Sequence, residues 1–373
     1  FLTGPEESIK NIIKDGFKIG DYEDIIFHSE KFALVDKKGN IRGYYNGMDT
    51  EEMDKLKKAQ GCLLGLAVGD ALGAPTEGMT PQQIGDKFGQ ITDFISDDQK
   101  GTDDTEFALF NALLLLEHGL GITSEIIGRA WLDKIYSESS AYKGAGFSEV
   151  IALNNLNNGQ LPPASGKHAH SWSDGLAMRV APFGIVAAGN PHLAGELTDI
   201  DGCVSNTGEG IISGQAVAAA IAVAMITENM DNVLYGVYGV IPDDSWTARA
   251  IKEGIKIGRE AESLPHALDS LYKALVCEYY FWPDIAPEAI GLAFGIIAAT
   301  DGQFEEAVLA GVNIGRDSDT IAAIVGGILG ALHGIDIIRP DWVQRVNIVN
   351  GTCIKDIKNI NMLEIASQLS AII

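Results

Sequence analysis

The chain has 373 residues, of which 46% are hydrophobic and 21% charged, enough for a sizeable core in one large domain or two ordinary ones. Acidic residues outnumber basic ones by 51 to 27, and the formal net charge of -24 repels nucleic acid and anionic membrane. Cys62, Cys203, Cys277 and Cys353 lie far apart without CxxC or CxH spacing, and the longest apolar run is broken by Ser213, Gly214 and Gln215, so the composition points to a cytoplasmic protein with buried free thiols and no membrane span.

Residues 1–56 differ in character from the remainder of the chain and read as a charged helix, a hairpin and a second charged helix. In KFALVDKKGNIRGYY two strand-like runs meet at residues 36–39, where Gly39 can take positive φ. Asp49 and Glu52 have the spacing of a capping box for a helix starting near Thr50. We therefore expect a small α+β extension at 1–56 and a separate domain at 57–373. The wording FLTGPEESIK and HSEKFALVDKKGNIRGYYNG resembles the C-terminal half of the Sco-type thioredoxin-like copper chaperones. That resemblance matches His28 to a copper-binding histidine whose CxxxC pair lies upstream. This sequence does not contain the pair, so His28 reads as a surface histidine and the segment as a docking remnant for a protein partner.

From Gln60 onward the pattern is helical and rich in small residues, without a convincing strand, so an all-α domain is expected. GCLLGLAVGDALGAPTEGMTP reads as a tight helix closed by a glycine and proline loop carrying Glu77. After a polar loop at 93–100, GTDDTEFALFNALLLLEHG places Thr102, Asp103 and Asp104 directly before an apolar helix. Helices are expected near 124–137 and 146–156. His168 and His170 fall in a loop where HxH spacing can bind metal, although a solvated loop is the plainer expectation. SWSDGLAMRVAPFGIVAAG and DGCVSNTGEGIISGQAVAAAIAVAM each read as a polar turn feeding a buried helix, with Ser205, Asn206 and Gly208 in the second turn. Further helices are expected at 244–261 and 264–279, from about Pro287, and twice in the tail.

The stretch GVNIGRDSDTIAAIVGGILGALHG repeats the acidic helix start. Ile321, Ile324, Val325, Ile328, Leu329 and Leu332 recur with a 3.6-residue period, which predicts a helix buried along one side. Gly326, Gly327 and Gly330 cost helix stability, so close backbone packing is expected to offset them. Asp317, Asp319 and Thr320 at its start fit an N-cap with favourable dipole charge as well as they fit a metal site. The conjunction is more telling. Two such starts and the Glu77 loop offer only oxygen ligands, the set chosen by Mg²⁺ or Mn²⁺, and too many for one ion with open positions. A paired site accommodates them and can activate a water.

These pieces resemble the ADP-ribosylglycohydrolase family. The matches are GDALGAPTEGMTP, GTDDT, SDGLAMRVAPFG, VSNTGEGIISGQAVAAAIA, NIGRDSDTIAAIVGGILGALHG and DWVQRVNIVN, spread over residues 60–371. The resemblance implies a compact orthogonal bundle of helices with two Mg²⁺ or Mn²⁺ ions. Thr102, Asp103 and Asp104 would hold one ion, Asp317 and Thr320 the other, and Asp319 would bridge, with Glu77 a mobile ligand. It implies hydrolysis of the glycosidic bond at ribose C1″ of an ADP-ribosylated protein, with Asp104 or Glu77 as the catalytic carboxylate. Ser173, Asp174, Gly175, Asn206 and Gly208 match loops that hold the distal ribose and pyrophosphate. Asn206 stands where many members have histidine, and Arg316 where glycine is common, so Arg316 is expected beside the metal centre, against substrate or surplus carboxylates. ADP-ribosyl-arginine is the expected substrate. A small free nucleoside or ADP-ribose conjugate, and a non-catalytic crystallin-like binding protein, are the alternatives.

Overall fold

The computed structural model describes residues 31–35, 41–46, 50–136 and 145–372. Strands β1 (Lys31–Val35) and β2 (Ile41–Asn46) pair antiparallel, with a register shift between Leu34 and Val35. The expected first helix, His28 and the turn at 36–39 lie outside the described residues. The rest is helical: α1 (Thr50–Gly73), α2 (Pro81–Phe88), α3 (Asp103–His118), α4 (Ser124–Trp131), α5 (Phe147–Asn157), α6 (Ala181–Val186), α7 (Pro191–Ser205), α8 (Glu209–Ala224) and α9 (Met230–Tyr235). They are followed by α10 (Trp246–Glu260), α11 (Leu264–Leu275), α12 (Ala286–Ala299), α13 (Phe304–Ile314), α14 (Ser318–His333), α15 (Pro340–Val346) and α16 (Met362–Ser370). No described helix is long and apolar enough to cross a membrane.

Helix α1 runs without a break through position 57, so the boundary expected there falls inside it. From Ala59 to Leu72 it is buried almost throughout, and Leu63, Leu64 and Leu72 each contribute about 1.5–3 kcal/mol by leaving water. Its partner is α14, buried from Ser318 to Leu332. The two run antiparallel along rows of small residues four apart. A Cβ added to Gly326 would lie 2.1 Å from the Gly65 carbonyl oxygen, and one added to Gly330 would lie 2.0 Å from that of Gly61. The glycines thus buy backbone contact, as their cost in a helix interior requires. At the end of the same row, a Cβ on Gly73 would meet the Asp319 Cα at 2.4 Å. The antiparallel approach therefore sets the C-terminus of α1, with its acidic loop, against the N-terminus of α14.

Several expectations change in detail. The helix expected at 124–137 ends as an α-helix at Trp131 and continues as a π-turn over Leu132–Tyr136. Helix α7 has no counterpart among the expected elements, and its last turn takes in the start of what reads as a polar turn at DGCVSNTGEG; Asn190 caps it by accepting from Leu193 N at 3.1 Å. Cys62, Cys277 and Cys353 are buried free thiols, whereas Cys203 is half-buried.

Candidate active site

Thr102 and Asp317 occupy the N-cap positions of α3 and α14, yet neither side chain caps its helix. At α3 the capping is done by Asp70 from the last turns of α1, which is fully buried. Asp70 accepts from Thr102 N at 2.8 Å, from Thr105 N at 3.0 Å and from the Thr102 hydroxyl at 2.8 Å, and also from the Thr105 hydroxyl. A carboxylate on another helix thereby satisfies the free N–H groups. Asp103 and Asp104 are released for other work.

Glu77 follows a 3₁₀ turn over Ala74–Thr76 and is tied to the start of α14 by backbone hydrogen bonds. Gly78 N donates to Arg316 O, and Arg316 N to Met79 O, both at 2.8 Å. The tie sets Glu77, Asp317 and Asp319 with carboxylate oxygens within 4.8 Å of one another. Glu77 is exposed; the two aspartates are buried.

These residues line a cavity of about 270 Å³. It gathers Glu77, Asp103, Asp104, Ser173, Asp174, Gly175, Asp317, Asp319 and Thr320, all expected from sequence, and adds Phe147, Glu149, Trp282 and Asp284. Thr102 is not part of that lining, and its hydroxyl proton goes to Asp70. Asn206 and Gly208 are not in it either. Asn206 is fully buried and donates its amide to the Ser171 and Ser173 carbonyls at 3.3 and 3.2 Å, so it supports the loop that carries Ser173 rather than facing the cavity. Gly208 sits against Trp172, whose Nε1 a Cβ would meet at 2.9 Å. Arg316, at φ +61°, turns away from the acidic centre and pairs with the buried Glu288, Nε to Oε1 2.6 Å. There it neutralises one of the chain's surplus carboxylates, and its Nη2 lies 3.5 Å from the carbonyl oxygen of Trp282, a residue of the cavity lining. Its backbone clamp on the Glu77 loop is its contribution to the site. Neither histidine is a free loop side chain: the half-buried His168 has Nε2 2.8 Å from Ser205 O, and the buried His170 pairs with Asp284 at 2.6 Å.

Burial comes first among the causes that push Asp103, Asp104, Asp174, Asp317 and Asp319 well above the usual carboxylate range, and their mutual repulsion adds to it. Asp104 Oδ2 and Asp319 Oδ1 are sealed from solvent without a hydrogen-bond partner among the described residues. Unsatisfied buried carboxylate oxygens are costly unless a cation meets them, and an all-oxygen donor set suits a hard divalent one. The residues present fit such an ion. Because these folded-state pKa values lie above the unfolded ones, the folded chain holds more protons between the two, and stability falls as pH rises through that window. In EDTA, Tm is expected to drop as pH rises above the ordinary carboxylate range, and saturating Mg²⁺ or Mn²⁺ to reverse the drop, by about 2.7 kcal/mol at a hundred times Kd. A profile in EDTA that is flat, or that metal leaves unchanged, would count against the cation site.

Sequence reasoning passed over Asp70, Glu149, Arg179 and Asp284. For Asp70 and Arg179 a signal existed, a lone charge inside the apolar runs LLGLAVGDALG and GLAMRVAPFG, where an ionised group must have a buried partner. Glu149 in GFSEVIAL and Asp284 in FWPDIAPEAI each stand just ahead of or at the start of an apolar run, where a carboxylate is ordinary at a helix start, and carry no such mark.

A family model described as ADP-ribosylglycohydrolase matches residues 51–370. An uncharacterized protein of Archaeoglobus fulgidus is 33% identical over 288 residues, covering 74% of this chain and 87% of its own. The protein YegU of Escherichia coli is 26% identical, covering 79% and 93%. The ADP-ribosylarginine hydrolase Tri1 of Pseudomonas putida is 24% identical, covering 78% and 74%. Among solved structures, an ADP-ribosylglycohydrolase-related protein complex superposes with a TM-score of 0.60 at 23% identity, over 86% of this chain and 99% of that one, which shows the shared fold. With the match running from the first turn of α1 to the last of α16, the chain belongs to the ADP-ribosylglycohydrolase family.

Proposed function

We propose that this chain is a metal-dependent hydrolase that cleaves the bond between ribose C1″ and the acceptor nitrogen of ADP-ribosyl-arginine, releasing ADP-ribose. The observation that carries the reading is the cavity itself, where Glu77, Asp317 and Asp319 converge and Asp104 and Asp319 each present an oxygen without a partner. Asp103 and Asp104 on one side, Asp317 and Thr320 on the other, Asp319 between them and Glu77 at the mouth would hold two Mg²⁺ or Mn²⁺ ions, with Thr102, outside the lining and its hydroxyl proton on Asp70, offering at most a lone pair to the first. Bound there, the ions supply positive charge for the ribose cis-diol and lower the pKa of a nearby water.

The chain's own groups do the rest. Asp70 fixes the α3 start so that Asp103 and Asp104 present their carboxylates without using them as caps. Ser173 and Gly175 line the same cavity and by the family resemblance would hold the distal ribose and pyrophosphate; Gly175 lacks the Cβ that would lie 2.5 Å from Glu149 Oε1, which leaves that buried carboxylate its place. Asp104 or Glu77 takes the proton of the water that forms the new O–C1″ bond, while the breaking C1″–N bond leaves its electron pair on the acceptor, which is then protonated. The arginine acceptor follows the named activity of Tri1, the protein of Pseudomonas putida described above.

The test is release of ADP-ribose from an ADP-ribosyl-arginine peptide in Mg²⁺, Mn²⁺ and EDTA, beside an Asp317→Ala/Asp319→Ala double variant. Turnover is expected only with metal. In the double variant it should fall by more than about a hundredfold, the scale on which even groups behind a metal ligand are felt. Metal-dependent binding of ADP-ribose without turnover would move the reading to a different acceptor or a small free conjugate.

A further inference from the structure

Residues 277–284 precede helix α12, carry none of the metal ligands proposed above, and supply Trp282, Pro283 and Asp284 to the cavity lining. Their rings pack mainly on one another: Trp282 lies 5.3 Å from Phe281 and 6.1 Å from Tyr280 between centroids, and 6.0 Å from Phe147 at the start of α5. Tyr279 and Phe281 keep 88% and 87% of their surface exposed, so burial does little to fix the segment and its place depends on polar anchors. The anchor at its base is the buried Glu288 in the first turn of α12. Glu288 Oε2 accepts from Cys277 N at 2.6 Å, which joins the two ends of the segment on one carboxylate. Arg316 donates to the same carboxylate from Nε at 2.6 Å and from Nη2 at 3.3 Å, and its Nη2 lies 3.5 Å from Trp282 O.

The main chain of Arg316 faces the other way, bonded at 2.8 Å to Gly78 and to Met79 on the Glu77 loop. One residue therefore grips both sides of the cavity, the Glu77 loop through its backbone and the Trp282 segment through its guanidinium. Its φ of +61° strains any residue that has a Cβ and suits glycine. Two hydrogen bonds onto a buried carboxylate offset that strain, in a fork geometry that lysine lacks. We propose that Arg316 is a positioning residue for the substrate side of the site: through Glu288 it holds the Trp282 segment in register with the Glu77 loop, so the cavity is already formed when substrate enters. The proposal rests on the hydrolase reading for what the cavity binds, and gives Arg316 no contact with substrate or metal. Because the segment bears no proposed metal ligand, loosening it weakens the binding of substrate and transition state alike, which raises KM and leaves kcat unchanged.

Arg316→Gly removes the guanidinium, suits the positive φ and keeps both backbone bonds to the Glu77 loop. Arg316→Gly/Glu288→Gln, which leaves no buried charge unpaired, is the second variant should the first fail to fold, with Tm as the check. The first readout needs no substrate. Hydrogen exchange at the Cys277 and Tyr280 amides, followed by NMR, should be about tenfold faster in both variants, as expected for the loss of hydrogen bonds to a charged group, while the Gly78 amide keeps its wild-type rate. The second readout is steady-state hydrolysis of ADP-ribosyl-arginine, with KM expected to rise about tenfold, kcat to stay within about twofold, and the Mn²⁺ affinity measured by calorimetry to stay the same. Unchanged exchange or an unchanged KM overturns the proposal. Recovery of both readouts in the double variant reduces Arg316 to a counter-ion for Glu288, and a loss in kcat or in Mn²⁺ affinity places it at the metal centre; either result also overturns it. Faster exchange in the variants of a chain whose wild type hydrolyses no ADP-ribosyl-arginine upholds the positioning and sinks the hydrolase reading instead.

Discussion

Replacing Gly326 by valine is expected to leave almost no folded protein. The new Cβ would fall 2.1 Å from the Gly65 carbonyl oxygen and 2.7 Å from its carbon, and both are backbone atoms of a buried helix that no rotamer change can move. Relief requires α1 and α14 to separate along their whole length, which uncovers Leu63, Leu64, Val325 and Leu329 together. The penalty belongs to the rare class above about 4 kcal/mol, most of what holds an ordinary domain folded. Gly85→Ala is the matched control, since a Cβ there meets nothing within 4 Å. Soluble yield and chemical denaturation distinguish the two. A Gly326→Val protein that unfolds at the wild-type midpoint would mean that the helices are not in backbone contact.

Arg179→Met is expected to cost about 3–5 kcal/mol, the range for breaking a buried ion pair from one side. Arg179 and both its partners are fully buried: Nη1 donates to Glu149 Oε1 at 2.6 Å and Nε to Asp201 Oδ2 at 2.8 Å. Further bonds run to the Gly175 carbonyl at 2.8 Å and the Ser205 hydroxyl at 2.7 Å, and the guanidinium lies 5.0 Å from the Trp131 ring. Methionine fills much of the volume but leaves two carboxylates without a cation. If charge is the cause, the triple variant Arg179→Met/Glu149→Gln/Asp201→Asn should regain most of the loss in urea denaturation. A single variant that loses less than about 1 kcal/mol would place the value of this network in packing alone.

The helical domain was legible because its sequence is consistent at every level. The apolar period of α14 announces a buried helix, and the glycines at 326 and 330 announce the close approach that α1 supplies through Gly61 and Gly65. The acidic helix starts were legible as a pair because oxygen ligands without imidazole or thiol fit one kind of ion. What sequence could not resolve was the direction of side chains. Asn206 sits in the right loop, yet it is fully buried and its amide goes to two carbonyls behind the cavity. Arg316 sits beside two site aspartates in the chain, but its positive φ carries the guanidinium to Glu288, a residue on another helix. Asp284 was invisible for the opposite reason, and His170 was seen only as half of an HxH pair, since nothing in the chain joins that histidine to a loop aspartate until the fold brings them to 2.6 Å.

The paired hydrogen bonds between residues 78–79 and Arg316 have a kinetic meaning. They hold the segment carrying Glu77 to the root of α14, so a swing of the loop away from the centre has to break two backbone hydrogen bonds, each worth about 0.5–1.5 kcal/mol. Rotation about the Glu77 side-chain bonds breaks neither, and belongs to the picosecond-to-nanosecond regime rather than the microsecond-to-millisecond regime of lids. If the side chain alone moves, the backbone amides of residues 77–79 stay silent in relaxation-dispersion spectra as substrate binds; exchange broadening there would mean that the loop itself opens.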